Sequence, residues 1–128
     1  MRILTAIPLI GIEEVKFGMK RDEVREVFGK AKEFKKSKFS KNTTDDFGFC
    51  HVYYDQDDKC EAIEIFAEVE VVIDGKKVFS EGLEILKSMF SDFEEDDGGF
   101  ISKGYSIGIY APYNKVESIL LGRGDYYI

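Results

Sequence analysis

The sequence predicts a single α+β domain, with an antiparallel sheet and two short helices on one face of that sheet. Eleven Phe and seven Tyr favour strands over helices. Apolar residues recur at helical spacing in only two stretches, whereas turn residues separate several short apolar runs. A chain of 128 residues is long enough to bury one core, and 44% hydrophobic against 34% charged residues argues against extended disorder. We therefore expect residues 1–128 to form one domain.

The first helix is expected between Gly18 and Gly29. Val24, Val27 and Phe28 fall at helical spacing among charged residues, and Gly29 can adopt the left-handed conformation that ends a helix. The apolar residues 1–12 are too few to cross a bilayer, and no small-x-small cleavage site follows them. They predict an opening strand or packed arm, and the protein is expected to be cytoplasmic.

Eight runs of strand-forming residues predict the sheet: 30–41, 47–54, 60–67, 68–73, 76–79, 100–103, 105–110 and 116–121. The first run contains six lysines and is interpreted as an edge strand that lysine keeps soluble, in preference to a nucleic-acid contact. Residues 55–59 have turn composition, and Asp74-Gly75 predicts a tight hairpin turn. The acidic run 92–99 is expected to be a loop, and residues 122–128 a partly ordered end.

The second helix is expected at about 80–90. Ser80 suits an N-cap, because its hydroxyl can accept a hydrogen bond from a free backbone N–H of the first turn. Leu83, Leu86 and Phe90 follow at helical spacing and predict the buried face.

A short repeat at a constant offset of 56 positions links two parts of the chain: Tyr54, Lys59, Glu61 and Ile63 recur as Tyr110, Lys115, Glu117 and Ile119. Each matching segment follows one of the predicted helices. The repeat predicts two tandem helix-plus-hairpin units within the single domain, at roughly 12–73 and 78–121, and a chance match is the alternative.

Charge is spread unevenly over a chain whose formal net charge is −7. Residues 1–44 carry eleven basic against six acidic residues, and residues 45–128 carry seven against nineteen. An acidic surface repels nucleic acid and anionic lipid and attracts basic proteins. The alternative is that the charge only aids solubility. We expect a protein partner, and neither nucleic acid nor a membrane.

No cluster of residues predicts catalysis. Cys50 and His51 are neighbours on a predicted strand and point to opposite faces, which argues against a nucleophile–base pair. Two cysteines and one histidine are too few for zinc. The stretch from Asp55 has Lys59 and Cys60 where a calcium loop needs an oxygen ligand and Gly, and the stretch from Asp92 has Asp97 and Lys103 where the loop needs Gly and a bidentate Glu. We therefore expect no catalytic residue, no metal and no cofactor. Cys50 and Cys60 are expected to be reduced thiols, and a disulfide between them is the alternative.

The acidic residues and tyrosines expected on the surface are the candidate site for binding a partner protein. The acidic side chains at 55–59 and 92–99 would form one negative rim if two units packed side by side. Tyrosine is enriched at protein–protein interfaces, and acid beside tyrosine suits the capture of a basic protein. The alternative is that these are solvated loops and core tyrosines. The candidate partner-binding residues are Asp55, Asp57, Asp58, Glu94, Glu95, Asp96, Asp97 and Tyr113.

The first helical stretch, with Gly18, Met19, Glu23, Val24 and Gly29, resembles the G-M-x-x-x-E-V-x-x-x-x-G opening of the SmpA/OmlA and β-lactamase-inhibitor-protein-like families. The resemblance implies a unit made of a short helical segment followed by an antiparallel sheet, which the inhibitor carries twice. The chain departs from the pattern at position 20, where lysine stands in place of the Ser or Thr that often caps the helix. It also lacks a lipoprotein signal, which removes the outer-membrane role.

The whole chain also resembles, in its general character, the small acidic immunity proteins of bacterial polymorphic or contact-dependent toxins. That resemblance implies a non-catalytic inhibitor that binds a toxin domain and blocks its active site or substrate groove. The runner-up interpretation is a small-ligand or housekeeping binding module, with an apolar pocket lined by Phe49, Ile65 and Phe90. An enzyme comes third and would require His51 to cluster with carboxylates from distant segments in a cleft.

Overall fold

The computed structural model describes residues 2–35, 37–38 and 42–127, and this part of the chain forms two sheets and three short helices. In chain order the elements are β1 (Ile3–Ile7), β2 (Gly11–Ile12), α1 (Arg21–Phe28), β3 (Lys32–Phe34), β4 (Thr44–Asp46), β5 (Cys50–Tyr54), β6 (Cys60–Phe66), β7 (Glu70–Ile73), β8 (Lys76–Lys77), α2 (Val78–Glu81), α3 (Leu83–Met89), β9 (Glu94–Asp96), β10 (Gly99–Ser102), β11 (Ile107–Tyr110) and β12 (Ser118–Gly122). The predicted α+β class is confirmed, with more strand than helix.

The larger sheet has eight strands in the order β3-β4-β5-β6-β12-β11-β10-β9, and every neighbouring pair is antiparallel. Strands β6 and β12 lie at its centre, where Ile63 pairs with Leu121. Strand β3 lies at one edge, as predicted for the lysine-rich tract. Residues 36 and 39–41 of that tract lie outside the described residues.

The smaller sheet has four strands in the order β2-β1-β7-β8. Strand β1 confirms the predicted opening strand, but it pairs in parallel with β7, with Leu4 opposite Val71 and Ala6 opposite Ile73. The sequence predicted antiparallel pairing, and this parallel pair is an exception to it. No local pattern in the sequence links two strands so far apart in the chain, so their pairing was not foreseen.

One continuous core lies between the larger sheet and a second layer made of the small sheet and the helices. Each layer contributes fully buried apolar side chains: the larger sheet Val52, Ile63, Ile65, Ile119 and Leu121, the small sheet Leu4 and Val71, and the helices Val24 and Leu86. The helices therefore cover the same face of the larger sheet, as predicted.

Helix α1 lies within the bounds that the sequence predicted. The Lys20 N–H donates to Glu23 Oε1 at 2.9 Å, and Gly29 ends the helix with a φ of 91°. The Phe28 ring packs edge-on against two other Phe rings at 5.2 Å, so it anchors the helix on the sheet. Val27 was expected on the apolar face but is 43% exposed, because the short helix buries only the narrow stripe that includes Val24.

The single second helix expected at 80–90 is wrong, because Gly82 divides the stretch into α2 and α3. Gly82 has a φ of 89°, which no helix accommodates. Ser80 is not an N-cap but lies inside α2, where its N–H and hydroxyl donate to the Glu70 carboxylate. The Phe79 N–H also donates to that carboxylate at 2.9 Å, so the buried Glu70 side chain caps α2 from a neighbouring strand.

The tight turn at Asp74-Gly75 is confirmed, since both residues have a positive φ and Ile73 pairs with Lys76 across them. The predicted loop at 92–99 is wrong in part. Glu94–Asp96 forms β9, which pairs with β10 at the second edge of the larger sheet. A high density of carboxylates disfavours a strand inside a sheet, but at an edge these side chains reach water.

The larger sheet contains paired residues that are related by the offset of 56 positions. Glu64 pairs with Leu120, its own equivalent at that offset, across the centre of the larger sheet. The pair Asp45–Val52 recurs at the same offset as the pair Ile101–Gly108. In the chain, α1 precedes the strands β3 to β6 of the larger sheet, and α3 precedes the strands β9 to β12. The duplication itself stays a prediction.

Candidate functional site

The larger sheet has an outer face that the helices and the small sheet do not cover. Successive strand residues point to opposite faces, so Ile63 and Ile65 enter the core while Glu64 and Phe66 point outward. The pairing places the other outward side chains beside them: His51 and Tyr53 on β5, Leu120 on β12, Tyr110 on β11 and Ile101 on β10. We call this surface the outer face.

One end of this face carries five of the acidic and tyrosine side chains together, and we call it the acidic corner: Glu94, Asp96, Asp97, Tyr110 and Tyr113. The Ala111 N–H donates to the Gly98 carbonyl oxygen at 2.8 Å, which fixes the β9–β10 turn against the start of the β11–β12 loop. Tyr110 is 49% exposed and Tyr113 is 88% exposed. The predicted residues of these two segments are therefore neighbours on the surface, except that Glu95 points to the opposite side of β9.

The predicted single rim does not form, because the 55–59 turn lies at the opposite end of the sheet. Strands β6 and β12 run antiparallel, with Phe66 opposite Ser118 and Ala62 opposite Gly122. The turn before β6 is therefore at the far end from the loop before β12. Sequence reasoning placed the two acidic clusters together because it had no register for the central strands.

Two of the three aspartates in that turn bind cations of the same chain. The Asp55 carboxylate is 2.8 Å from Arg123 Nη1, and the Asp58 carboxylate is 2.8 Å from Arg21 Nη2. Burial raises the pKa of Asp55, but the hydrogen bonds from Arg123 and two backbone N–H groups outweigh it and leave the pKa lowered. Asp57 is exposed. This end is therefore a weaker candidate for attracting a basic partner.

A small groove continues from the acidic corner along the outer face, with a volume of about 180 Å³. Glu64 lies at one end, and Asp96 and Asp97 lie at the other. The rings of Tyr110 and Tyr127 border it. Its remaining lining residues are small or apolar: Gly99, Phe100, Ile101, Gly108, Ile109, Ser118 and Leu120.

A buried ionic cluster joins α1 to the larger sheet, and sequence reasoning missed it. Asp45 has no exposed surface and accepts hydrogen bonds from Arg21 Nη1 at 2.9 Å, from Arg25 Nη2 at 2.7 Å and from the Tyr54 hydroxyl at 2.9 Å. Burial raises the pKa of Asp45, but the hydrogen bonds from Arg25 and Tyr54 and the two guanidinium charges outweigh it and lower the pKa. The spacing of Arg21 and Arg25, one helical turn apart, was the available signal.

The cysteines and the histidine do not form a reactive group. Cys50 is fully buried, and burial raises the pKa of its thiol. Cys60 is also buried, which raises the pKa of its thiol to about 12, and both cysteines are free. His51 points to the other face, where its ring contacts Phe34 and Phe66 at 4.9 and 4.8 Å and Nε2 is 3.5 Å from Asp46. The histidine is therefore packed between aromatic rings.

The apolar pocket predicted for a small ligand is not assembled. Ile65 is enclosed in the core, Phe49 packs against Phe28 beneath the Arg2 guanidinium, and Phe90 packs against Phe93 and Tyr105. Phe90 instead lines a separate groove of about 450 Å³ with Ala6, Ile7, Pro8, Ile73, Asp74, Met89 and Tyr105. Ile65 and Phe90 are part of the core, and Phe49 packs against it, so the three side chains fill space and do not line a pocket.

A larger polar cleft of about 510 Å³ lies at the 55–59 end, lined by Asn42, Thr43, Thr44, Tyr53, Tyr54, Asp55, Gln56, Asp57, Glu61 and Arg123. Within the described ranges, no three His, Cys, Asp or Glu side chains are arranged to hold a metal ion. No helix in the same part of the chain is long and apolar enough to cross a membrane.

Comparisons with protein-family models, with curated proteins and with solved structures each return no match to this chain.

Proposed function

We propose that this chain is a non-catalytic protein-binding inhibitor whose partner is a basic toxin domain of bacterial origin, as expected for an immunity protein. The acidic corner is the observation that carries the proposal. It places the exposed carboxylates of Asp96 and Asp97 beside two exposed tyrosines, one of them 88% exposed. The third carboxylate of the corner, Glu94, lies 3.9 Å from Lys103 Nζ. A tyrosine that is left so exposed contributes little to the core, and tyrosine is among the residues that contribute most to protein–protein binding.

Electrostatics supports a basic partner. Residues 45–128, which include the corner, carry nineteen acidic against seven basic residues. A concentrated negative surface accelerates encounter with a positive protein and disfavours nucleic acid and anionic membranes. The protein is proposed to act in the cytoplasm, where a toxin domain would be neutralised.

The outer face offers enough area for a stable complex. Eight strands spaced by about 4.8 Å measure about 34 Å across, and Tyr126 and Tyr127 cover the part of this face at Gly122 and Gly108. A specific interface needs about 800 Å² on each partner. A partner seated on the corner and the adjoining outer face would reach this area without displacing the helices or the small sheet.

Co-purification with the product of the adjacent upstream gene tests the proposal. A stable complex that protects the partner's substrate is expected, and replacing Asp96, Asp97 and Tyr113 together by Asn, Asn and Ala should weaken it at least tenfold. Asp57→Asn is the matched control, because it removes an exposed carboxylate at the opposite end of the sheet.

The two variants separate the possible outcomes. The association rate of the triple variant should fall more at low salt than at high salt, because steering by surface charge is screened. Equal weakening by Asp57→Asn would show that the corner is not the binding site. Failure to form a complex with any neighbouring toxin domain would refute the proposed function.

A small-ligand binding module is the second candidate, and the polar cleft of about 510 Å³ favours it. Such a volume is in the usual range of ligand sites. NMR titration with mixtures of polar metabolites would show shifts confined to residues such as Gln56 and Glu61 if this candidate is correct.

A further inference from the structure

We infer that the groove on the outer face, bordered by Glu64, Asp96, Asp97, Tyr110 and Tyr127, receives an arginine side chain of the partner protein. This inference rests on the proposed function and names the chemistry of the partner's anchoring residue. The groove belongs to the outer face of the larger sheet, beside the Tyr127 ring that covers Gly108, and it opens at the acidic corner.

The charge of the groove selects a cation. Glu64 supplies the carboxylate that a guanidinium would bind, Asp96 and Asp97 lie four strands away where the groove opens at the acidic corner, and none of the twelve lining residues is Lys, Arg or His. The Glu64 carboxylate is held in place, because Oε1 accepts a hydrogen bond from the Tyr53 hydroxyl at 2.7 Å and Oε2 accepts one from the Ser118 hydroxyl at 3.3 Å. Each oxygen keeps a second lone pair for an incoming N–H donor.

Two glycines make room for the aromatic border. A Cβ atom at Gly108 would lie 2.2 Å from the Tyr127 hydroxyl oxygen, so only glycine lets this ring lie down on the sheet. A Cβ atom at Gly99 would lie 1.8 Å from the Ile109 carbonyl oxygen. Glycine at this position therefore keeps the bottom of the groove flat at the end near Asp96. Burial raises the pKa of the Tyr127 phenol, and the electrostatic effects of Tyr126, Glu64 and Asp96 raise it further.

The size and shape favour arginine over other cations. A volume of about 180 Å³ is below the roughly 300 Å³ at which small-molecule sites usually begin, and it fits a single inserted side chain. A guanidinium is planar, stacks on aromatic rings and donates to carboxylates in pairs, whereas an ammonium is compact and strongly hydrated. A divalent metal ion is disfavoured, since no three carboxylates of the described residues converge on one point.

An NMR titration of the ¹⁵N-labelled protein with acetyl-Gly-Arg-Gly-amide tests the inference. The backbone signals of Gly99, Gly108 and Leu120 should shift on saturation. The same peptide with citrulline in place of arginine, which keeps the shape without the charge, should produce no shift. The lysine peptide should bind at least about threefold more weakly, because the paired hydrogen bonds are lost.

Glu64→Gln removes one charge and keeps one acceptor oxygen for the Tyr53 hydroxyl, while its amide NH2 can donate to the Ser118 hydroxyl oxygen, and it should weaken the arginine peptide about tenfold. Asp57→Asn, at the other end of the sheet, should leave the affinity unchanged. Unchanged affinity in Glu64→Gln, or equal binding of the citrulline peptide, would overturn the inference. Shifts at the groove that grow with protein concentration in the absence of peptide would also overturn it, since they would identify a second copy of the chain as the occupant.

The test separates this inference from the proposed function. If a toxin domain binds the wild-type protein and Glu64→Gln equally well, the groove is not the anchor, but the protein is still an inhibitor. If the arginine peptide binds as expected while no toxin domain does, the groove is correct and the proposed inhibitor function is wrong.

Discussion

Asp45→Asn is expected to lower the stability of the folded protein strongly. The Asp45 carboxylate is completely buried and accepts hydrogen bonds from two arginines and from the Tyr54 hydroxyl. An asparagine has the same shape but no charge, so it leaves Arg21 and Arg25 facing each other with a neutral amide between them. The helix α1 should consequently be held less firmly against β4.

The loss of free energy of unfolding depends on which ion pairs Arg21 and Arg25 keep in the variant. Removing one partner of a buried ion pair costs about 3–5 kcal/mol. Arg21 keeps the Asp58 carboxylate at 2.8 Å, and Arg25 keeps Glu33 at 3.5 Å, so the lower limit applies. We expect the free energy of unfolding to fall by about 3 kcal/mol, a large part of the 5–15 kcal/mol typical of a domain.

Urea denaturation followed by far-UV circular dichroism at pH 7 measures this change. With a slope near 2 kcal/mol per molar urea, the midpoint should fall by about 1.5 M. Glu26→Gln is the control, because it removes an exposed carboxylate from the same helix. A midpoint shift in Asp45→Asn no larger than that of the control would refute the interpretation of the cluster as a stabilising network.

The pH dependence gives a second test of the same residue. Because the pKa of Asp45 is lowered in the folded protein, its contribution is present above the unfolded pKa of about 3.9 and is lost as the pH falls through the folded pKa. The wild-type protein should therefore lose its advantage over Asp45→Asn below about pH 4. A constant difference between pH 7 and pH 3 would contradict this assignment.

Three further outcomes test local features. Glu70→Gln should lower the free energy of unfolding by about 1–3 kcal/mol, because it weakens the hydrogen bonds that cap α2, and unchanged chemical denaturation would contradict the capping role. Cys50 and Cys60 should react with a thiol reagent only after unfolding, because burial raises the pKa of both thiols; rapid labelling of the folded protein would refute their placement. Gly82→Ala should cost about 1–3 kcal/mol in thermal or urea unfolding because of its positive φ, and a gain in stability would show that the helix continues through this position.

The sequence predicted which residues of the acidic corner are exposed, but not which of them lie close together. Glu94, Asp96, Asp97 and Tyr113 were selected correctly as exposed groups, since runs of charged residues and turn residues are seldom buried. Their proximity to one another, and their distance from Asp57, depend on the pairing of β6 with β12. Strand register between segments far apart in sequence is decided by how the side chains pack, and short local patterns do not contain it.

The buried cluster was missed for a related reason. Arg21 and Asp45 each look like surface residues in their own segments, because isolated charges are rarely buried. They become a buried pair only when α1 packs against β4, which brings an acceptor and two donors within hydrogen-bonding distance. Arg21 and Arg25 are 24 and 20 positions from Asp45 in the chain, beyond the range of any periodic pattern.

The sequence by itself determined the features that depend on neighbouring residues: helix α1 with its final glycine, the Asp74-Gly75 turn, and the alternation that separates Cys50 from His51. Tertiary structure alone decided the parallel pairing of β1 with β7, the capping of α2 by Glu70, and the end of the sheet at which each acidic cluster lies. The physical reason is the distance along the chain over which each kind of interaction acts. Backbone preferences act over a few residues, whereas burial and hydrogen bonding of distant segments are settled only when the layers pack together.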